Sequence, residues 1–304
     1  MTAPALVFHP DYEVNIRPSH PFPMSKYGYL RQTLAARGLM APGGFLAPVE
    51  APEGVIGLAH EPGYVARVLS HALSAEEARR IGLPANAAVA RRARLAAAGT
   101  LLAARLARER GAAFNLAGGS HHAARGNGAG YCVFNDVAVA AAALLAEGAV
   151  RRVAVLDLDV HQGDGTARIF EGEPRVLTVS VHAEKNFPAR KARSSHDLPL
   201  PDRTEDAAYL SAVEAALDLV AAFPADLLFY NAGVDVAAGD RLGRLAVSPE
   251  GLRAREARVL AFAKARGLPL VSVLGGGYGA APEEVAARHA VLFEEAAKSG
   301  MLDP

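Results

Sequence analysis

Val153–Gly165 reads VAVLDLDVHQGDG, and this stretch decides the fold. Its first eight residues form an apolar run without alternation, which predicts a strand over Val153–Val160 covered on both faces. Strand side chains alternate, so Asp157, Asp159 and His161 are expected on one face at two-residue intervals. Two carboxylates and an imidazole at the end of a buried strand are costly unless paired or bound to a cation. Gly163 and Gly165 then let the backbone turn sharply over that group. A hydrogen-bonded structural cluster is the plainer alternative. A dinucleotide loop is a second one, but Arg168 stands where its third glycine would be and the acids would repel a pyrophosphate.

Outward from this stretch, further short apolar runs alternate with helical patterns. Strands are predicted at Ala5–Phe8, Val55–Ala59, Ala113–Ala117, Val176–His182, Leu227–Ala232 and Pro269–Leu274. Helices are predicted at Lys26–Arg37, Gly63–Leu73, Ala87–Arg110, Asp136–Glu147, Asp206–Ala222, Pro249–Arg266 and Pro282–Ala297. Ser248-Pro249-Glu250 is a start signal: a cap residue, a proline at the first helical position and an acid. Strand–helix repetition implies right-handed crossovers and a parallel sheet with helices on both faces. With no repeat, linker or composition break, one α/β domain over residues 1–304 is expected.

In such sheets ligands bind beyond the carboxyl ends of the strands. Polar residues gather there in four segments: Gly118-Gly119-Ser120-His121-His122, Asp157–His161, Asn231-Ala232-Gly233-Val234-Asp235 and Gly275-Gly276-Gly277-Tyr278-Gly279. Asp159, His161 and Asp235 would make a three-ligand site with an open position, as in catalytic zinc. Asp240 reads as a loop or capping acid. Adjacent histidines cannot easily both be core residues, so His121 and His122 read as proton-transfer groups, each oriented by a carboxylate. Asp157 and Asp164 remain for that task. Tyr278, after three glycines, has a hydroxyl that could reach a reacting oxygen.

Composition narrows the classes. At 51% hydrophobic and zero formal net charge, the chain is neither disordered nor a polyanion binder, so no nucleic-acid partner is expected. Its 1 cysteine excludes an intramolecular disulfide and a multi-cysteine zinc cluster. The start, MTAPALVFHPDYE, shows no signal peptide and no run is long enough to span a bilayer, which predicts a cytoplasmic protein without a membrane partner.

GGSHHAARGNGAGYCVFND, VLDLDVHQGDGTARIF, YNAGVDVAAGD and LGGGYG together resemble the histone deacetylase superfamily, the arginase–deacetylase fold, over about residues 118–279. HPFPMSK and VHAEKNFP look like its class IV branch and bacterial relatives. The resemblance implies zinc on Asp159, His161 and Asp235, the pairs His121–Asp157 and His122–Asp164, and Tyr278 as the residue polarising the substrate carbonyl. It implies a channel lined by Gly130, Tyr131 and Phe187. It also implies a structural potassium near Asp157, Asp159, His161, Ser180 and Val181, with a second monovalent site near Phe170 and Val176. A rim acid that grips peptide backbone in many relatives is missing between Gly82 and Val89.

The expected activity is zinc-dependent hydrolysis of an acyl-lysine-type amide on a small or unstructured substrate. The alternatives are an acetylpolyamine amidohydrolase, a two-metal ureohydrolase of arginase type, and a non-catalytic small-ligand binder. The arginase type needs another acid two residues from Asp235, and Ala237 stands there. Gly126-Asn127-Gly128-Ala129-Gly130 suggests an adaptable channel wall, and class IV likeness suggests acyl chains longer than acetyl.

Overall fold

The structure is a computed structural model that describes residues 5–17, 19–40, 44–279 and 281–302. Among the described residues eight strands form one sheet: β1 (Ala5–Val7), β2 (Phe45–Leu46), β3 (Ala112–Asn115), β4 (Val153–Asp157), β5 (Val176–Ala183), β6 (His196–Leu200), β7 (Leu227–Asn231) and β8 (Leu270–Val273). Every pairing is parallel, in the order β2-β1-β3-β8-β7-β4-β5-β6. Parallel neighbours need crossovers, and helices supply them. The short ones are α2 (Glu53–Ile56), α3 (Pro62–Leu69), α4 (Ala75–Ile81) and α7 (Asp164–Ile169). The long ones are α1 (Lys26–Ala36), α5 (Ala87–Arg110), α6 (Asp136–Ala146), α8 (Asp206–Ala222), α9 (Pro249–Ala265) and α10 (Pro282–Lys298).

Both faces of the sheet are covered. On β3 the Phe114 ring meets Phe293 of α10 at 5.5 Å between centroids. The next residue, Asn115, points to the other face and donates to Ala96 O and Thr100 Oγ1 of α5. Successive strand residues face opposite ways, so α5 and α10 lie on opposite sides. Burial of β3, β4, β5, β7 and β8 at every position explains why their runs lack alternation.

Three expectations need correction. Val55–Ala59 is not a strand: Pro52 caps α2 there, and Ile56 and Ala59 are buried at helical three-residue spacing. The central strand ends at Asp157, not Val160, so alternation does not place Asp159 and His161. They lie in a turn in which Asp157 Oδ1 accepts from Asp159 N and Asp159 Oδ1 accepts from His161 N. Third, β2, β6, α4 and α7 are additional elements. Pro199 is tolerated in β6 because that strand is an edge. Helix α4 starts with a Ser74–Glu77 capping box, a signal present in the sequence.

The order places the site. β3, β8, β7 and β4 are neighbours, and each carries one of the four polar segments just past its carboxyl end. Four segments far apart in sequence thereby share one crevice.

Candidate active site

Asp159, His161 and Asp235 each offer a donor atom within 4.8 Å of the others, and all three residues are buried. His161 Nδ1 lies 3.0 Å from Asp159 Oδ1 and 3.1 Å from Asp235 Oδ2. Asp235 reaches inward because its Oδ1 accepts from Val160 N at 2.9 Å, which leaves Oδ2 buried without a hydrogen-bond partner. Gly276 closes the far side, where its N–H donates to Asp159 Oδ2 at 2.6 Å. A Cβ at position 276 would stand 1.9 Å from Asp235 Oδ2, so only glycine lets that loop pass.

The charges here call for a cation. Burial, and then the Asp159 carboxylate, push Asp235 up to about 7. Burial also opposes ionisation of Asp159, but His121 and His161 outweigh it and hold that carboxyl well below its ordinary range. Burial disfavours the His161 imidazolium, yet the two carboxylates raise it to about 10. Two acids, an imidazole and an orphaned carboxylate oxygen form a donor set that fits a divalent metal with an open coordination position.

The two histidines sit beside this group, each on its own carboxylate. His121 Nδ1 donates to Asp157 Oδ2 and His122 Nδ1 donates to Asp164 Oδ1, both at 2.7 Å. Their Nε2 atoms are 3.1 Å apart, and His121 Nε2 is 3.8 Å from Asp159 Oδ1. The side chains of neighbouring residues both reach the crevice because the His121–Ala123 segment leaves β3 in a turn rather than a strand. Burial opposes charge on both, but Asp157 and Asp159 raise His121 to about 9, whereas His121 further depresses His122 to about 3. The pair therefore divides into a charged His121 and a neutral His122. Asp164 holds the proton of His122 on Nδ1 and leaves Nε2 free to accept one.

Tyr278 stacks edge-on against the His161 ring at 6.1 Å. Burial, and then Asp235, raise its phenol well above the ordinary range, so the hydroxyl is a donor. Asp240, expected to be a plain loop acid, fastens this residue: its Oδ2 accepts from Tyr278 N at 2.7 Å and its Oδ1 from Leu242 N and Gly243 N. Arg241 N also donates to Tyr278 O at 3.1 Å.

Phe187, 43% exposed, meets the His122 ring edge-on at 4.7 Å. Gly130 lies between them, because a Cβ there would stand 2.6 Å from His122 and 3.2 Å from Phe187. Tyr131 flanks Tyr278 at 6.0 Å. The expected channel residues are thus together at the mouth. Its wall is tied to α4. Gly130 N and Tyr131 N donate to Arg80 O and Ile81 O at the end of α4, so the glycines serve close packing. Between this wall and the donors lies a narrow cavity of about 30 Å³ bordered by Phe22, His121, His122, Gly130, Tyr131 and Tyr278.

Several supporting residues were not singled out as site residues. Asn231 donates to Asp157 Oδ1 at 2.9 Å, which completes that carboxylate's shell. Lys26, fully buried, donates to Gly275 O at 3.0 Å beneath the Tyr278 loop. Arg255, also fully buried and paired with Glu256, donates to Gly233 O at 2.6 Å. Asn231 stands inside a quoted motif. Lys26 and Arg255 lie on helices where only burial marks them.

A model of the histone deacetylase domain matches residues 20–293. The chain belongs to the histone deacetylase family. An uncharacterised Picosynechococcus protein is 44% identical over 292 residues, covering 96% of this chain and 97% of that one. Histone deacetylase 2 of Arabidopsis thaliana is 31% identical over 288 residues, covering 90% of this chain and 74% of its own. The solved HD domain of HDA15 superposes with a TM-score of 0.79 at 26% identity, over 97% of this chain and 89% of that domain. This is the arginase–deacetylase fold, and family membership supports chemistry of the hydrolytic, deacetylase type.

Proposed function

We propose that the protein is a zinc-dependent deacylase that cleaves a short-chain acyl-lysine-type amide. What carries this reading is the convergence of two differently charged His–Asp pairs and Tyr278 on one buried Asp-His-Asp group. A zinc ion on Asp159, His161 and Asp235 would supply Lewis-acid polarisation of the acyl carbonyl and acidify a water molecule. His122, neutral and held by Asp164, takes that water's proton on Nε2 and later returns it to the departing amine. His121, charged and held by Asp157, offsets the negative charge that develops. The Tyr278 hydroxyl donates to the oxygen of the tetrahedral species, and Asp240 fixes where that hydroxyl stands.

A monovalent cation is proposed among Asp157, Asp159, His161, Ser180 and Val181. Its support is the register of β4 and β5, which sets Asp157 opposite Ser180. The two-metal alternative finds little: among the described residues one metal-type group occurs, and Asp157 is taken by His121 and Asn231. The test is hydrolysis of acetyl-lysine, acetylpolyamine and guanidino compounds by protein loaded with zinc and by chelated protein. Zinc-dependent release of acetate from acetyl-lysine is expected. Urea release, or two tightly held transition metals per chain, would overturn the reading.

A further inference from the structure

Two grooves run along the loop that carries Arg17, His20 and Phe22. One, about 550 Å³, is bordered by Glu13, Arg17, His20, Phe22 and Arg241 and reaches Gly279 beside Tyr278. The other, about 490 Å³, is bordered by Arg17, His20, Arg79 and Gly82. Both connect to the chemistry. Phe22 also lines the cavity beside the metal-type donors, and a Cβ at Gly82 would stand 3.0 Å from the Tyr131 ring. The loop is held in place by His20, whose Nε2 donates to Gly82 O at 2.7 Å and whose Nδ1 accepts from Phe22 N at 3.0 Å.

The charge along these grooves is one-sided although the whole chain is neutral. Arg17, Arg79 and Arg241 are exposed and make no ion pair among the described residues. Glu13 is the one acid on either lining, and its Oε1 is already engaged by Gly28 N. The loop that carries Phe187 likewise holds Lys185, Arg190 and Arg193 against Glu184. An amine half that leaves the channel past Phe22 or Gly82 passes over this ground. A guanidinium offers a carboxylate two parallel N–H donors and repels an ammonium.

We propose that Arg17 and Arg241 select acylated amines that carry a carboxylate on the amine side, and that they reject polycationic ones. This deepens the deacylase reading and rests on it. Nα-acetyl-Nε-acetyl-lysine and its methylamide differ only in that carboxylate. With zinc-loaded protein at low salt, KM for the acid should be roughly tenfold below that for the amide, as expected for one well-placed charged contact. The ratio should shrink as salt screens the exposed charges. It should collapse in Arg17→Gln/Arg241→Gln and invert in Arg241→Glu. Equal KM values, or a ratio that survives the double substitution, would overturn the proposal, as would preference for an acetylated polyamine. Calorimetric binding of the two compounds gives the same ratio without turnover. If neither is hydrolysed, the deacylase reading falls, and the binding ratio still decides the role of the arginines.

Discussion

His122 and His121 are adjacent and both rest on carboxylates, yet their surroundings drive them apart. His122→Ala should lower kcat roughly 10²- to 10⁴-fold, the usual worth of general acid–base catalysis. His121→Ala should cost less, because it leaves the proton-accepting nitrogen in place. The active pair is charged His121 with neutral His122, so raising pH through about 9 removes the proton from His121 and activity falls. No limb is expected near 6.5, the ordinary imidazole value, since both groups are moved away from it. A kcat/KM profile that rises through 6.5 would contradict this division. Asp235 makes a different prediction. Asp235→Ala removes a metal donor but also a buried carboxylate facing Asp159. Metal content should fall and activity vanish, while thermal stability of the metal-free protein holds or rises, which metal analysis and calorimetry would read.

Among the elements, the turns after β3, β4, β7 and β8 carry the chemistry, and they can do so only by passing very close to one another. Gly276→Ala would press a methyl group into the Asp235 carboxylate. Activity should be lost without global unfolding, which circular dichroism beside a turnover assay would separate. Full activity in that variant would show that the loop has slack the packing denies. The strap that binds the channel wall to α4 follows the same logic. Its capping box and the Gly130 and Tyr131 hydrogen bonds tie a glycine-rich segment to a helix end.

Across the whole molecule, acid sensitivity has an identifiable source. His60 is buried, donating from Nδ1 to Ala124 O and accepting Asn135 N on Nε2, so it joins two segments 64 and 75 residues away. Burial lowers it to about 4 from 6.5. Above 6.5 it is neutral in both the folded and unfolded states and contributes nothing pH-dependent. As pH falls from 6.5 to 4 the unfolded chain binds the proton first, and stability drops by about 3 kcal/mol. Unfolding at pH 7.5 and 4.5 should show this loss, reduced in His60→Gln. The cavity volume makes the other whole-molecule prediction. With a cavity of only about 30 Å³ beside the donors, acetyl-lysine should be hydrolysed faster than a long-chain acyl-lysine. Comparable kcat/KM for the two would mean that the cavity opens.

Much of this was legible in the sequence because both the sheet and the site are written as local patterns. Continuous apolar runs mark strands buried on both faces, and reactive residues stand directly after them. Hence the parallel α/β fold and the residues Asp159, His161, Asp235, His121, His122 and Tyr278 can all be named from one chain. Local pattern fails where context decides. VIGLA reads as a strand, but Pro52 starts a helix that ends at Ile56 within it; HDLPL carries no strand signal, but a free sheet edge makes it a strand. Only the tertiary structure decided that Asn231 completes the Asp157 carboxylate, that Asp240 holds Tyr278, and that Lys26 and Arg255 brace the loops from helices distant in sequence. Those roles depend on strand order and on distances of about 3 Å between residues many positions apart, which periodicity along a chain does not encode.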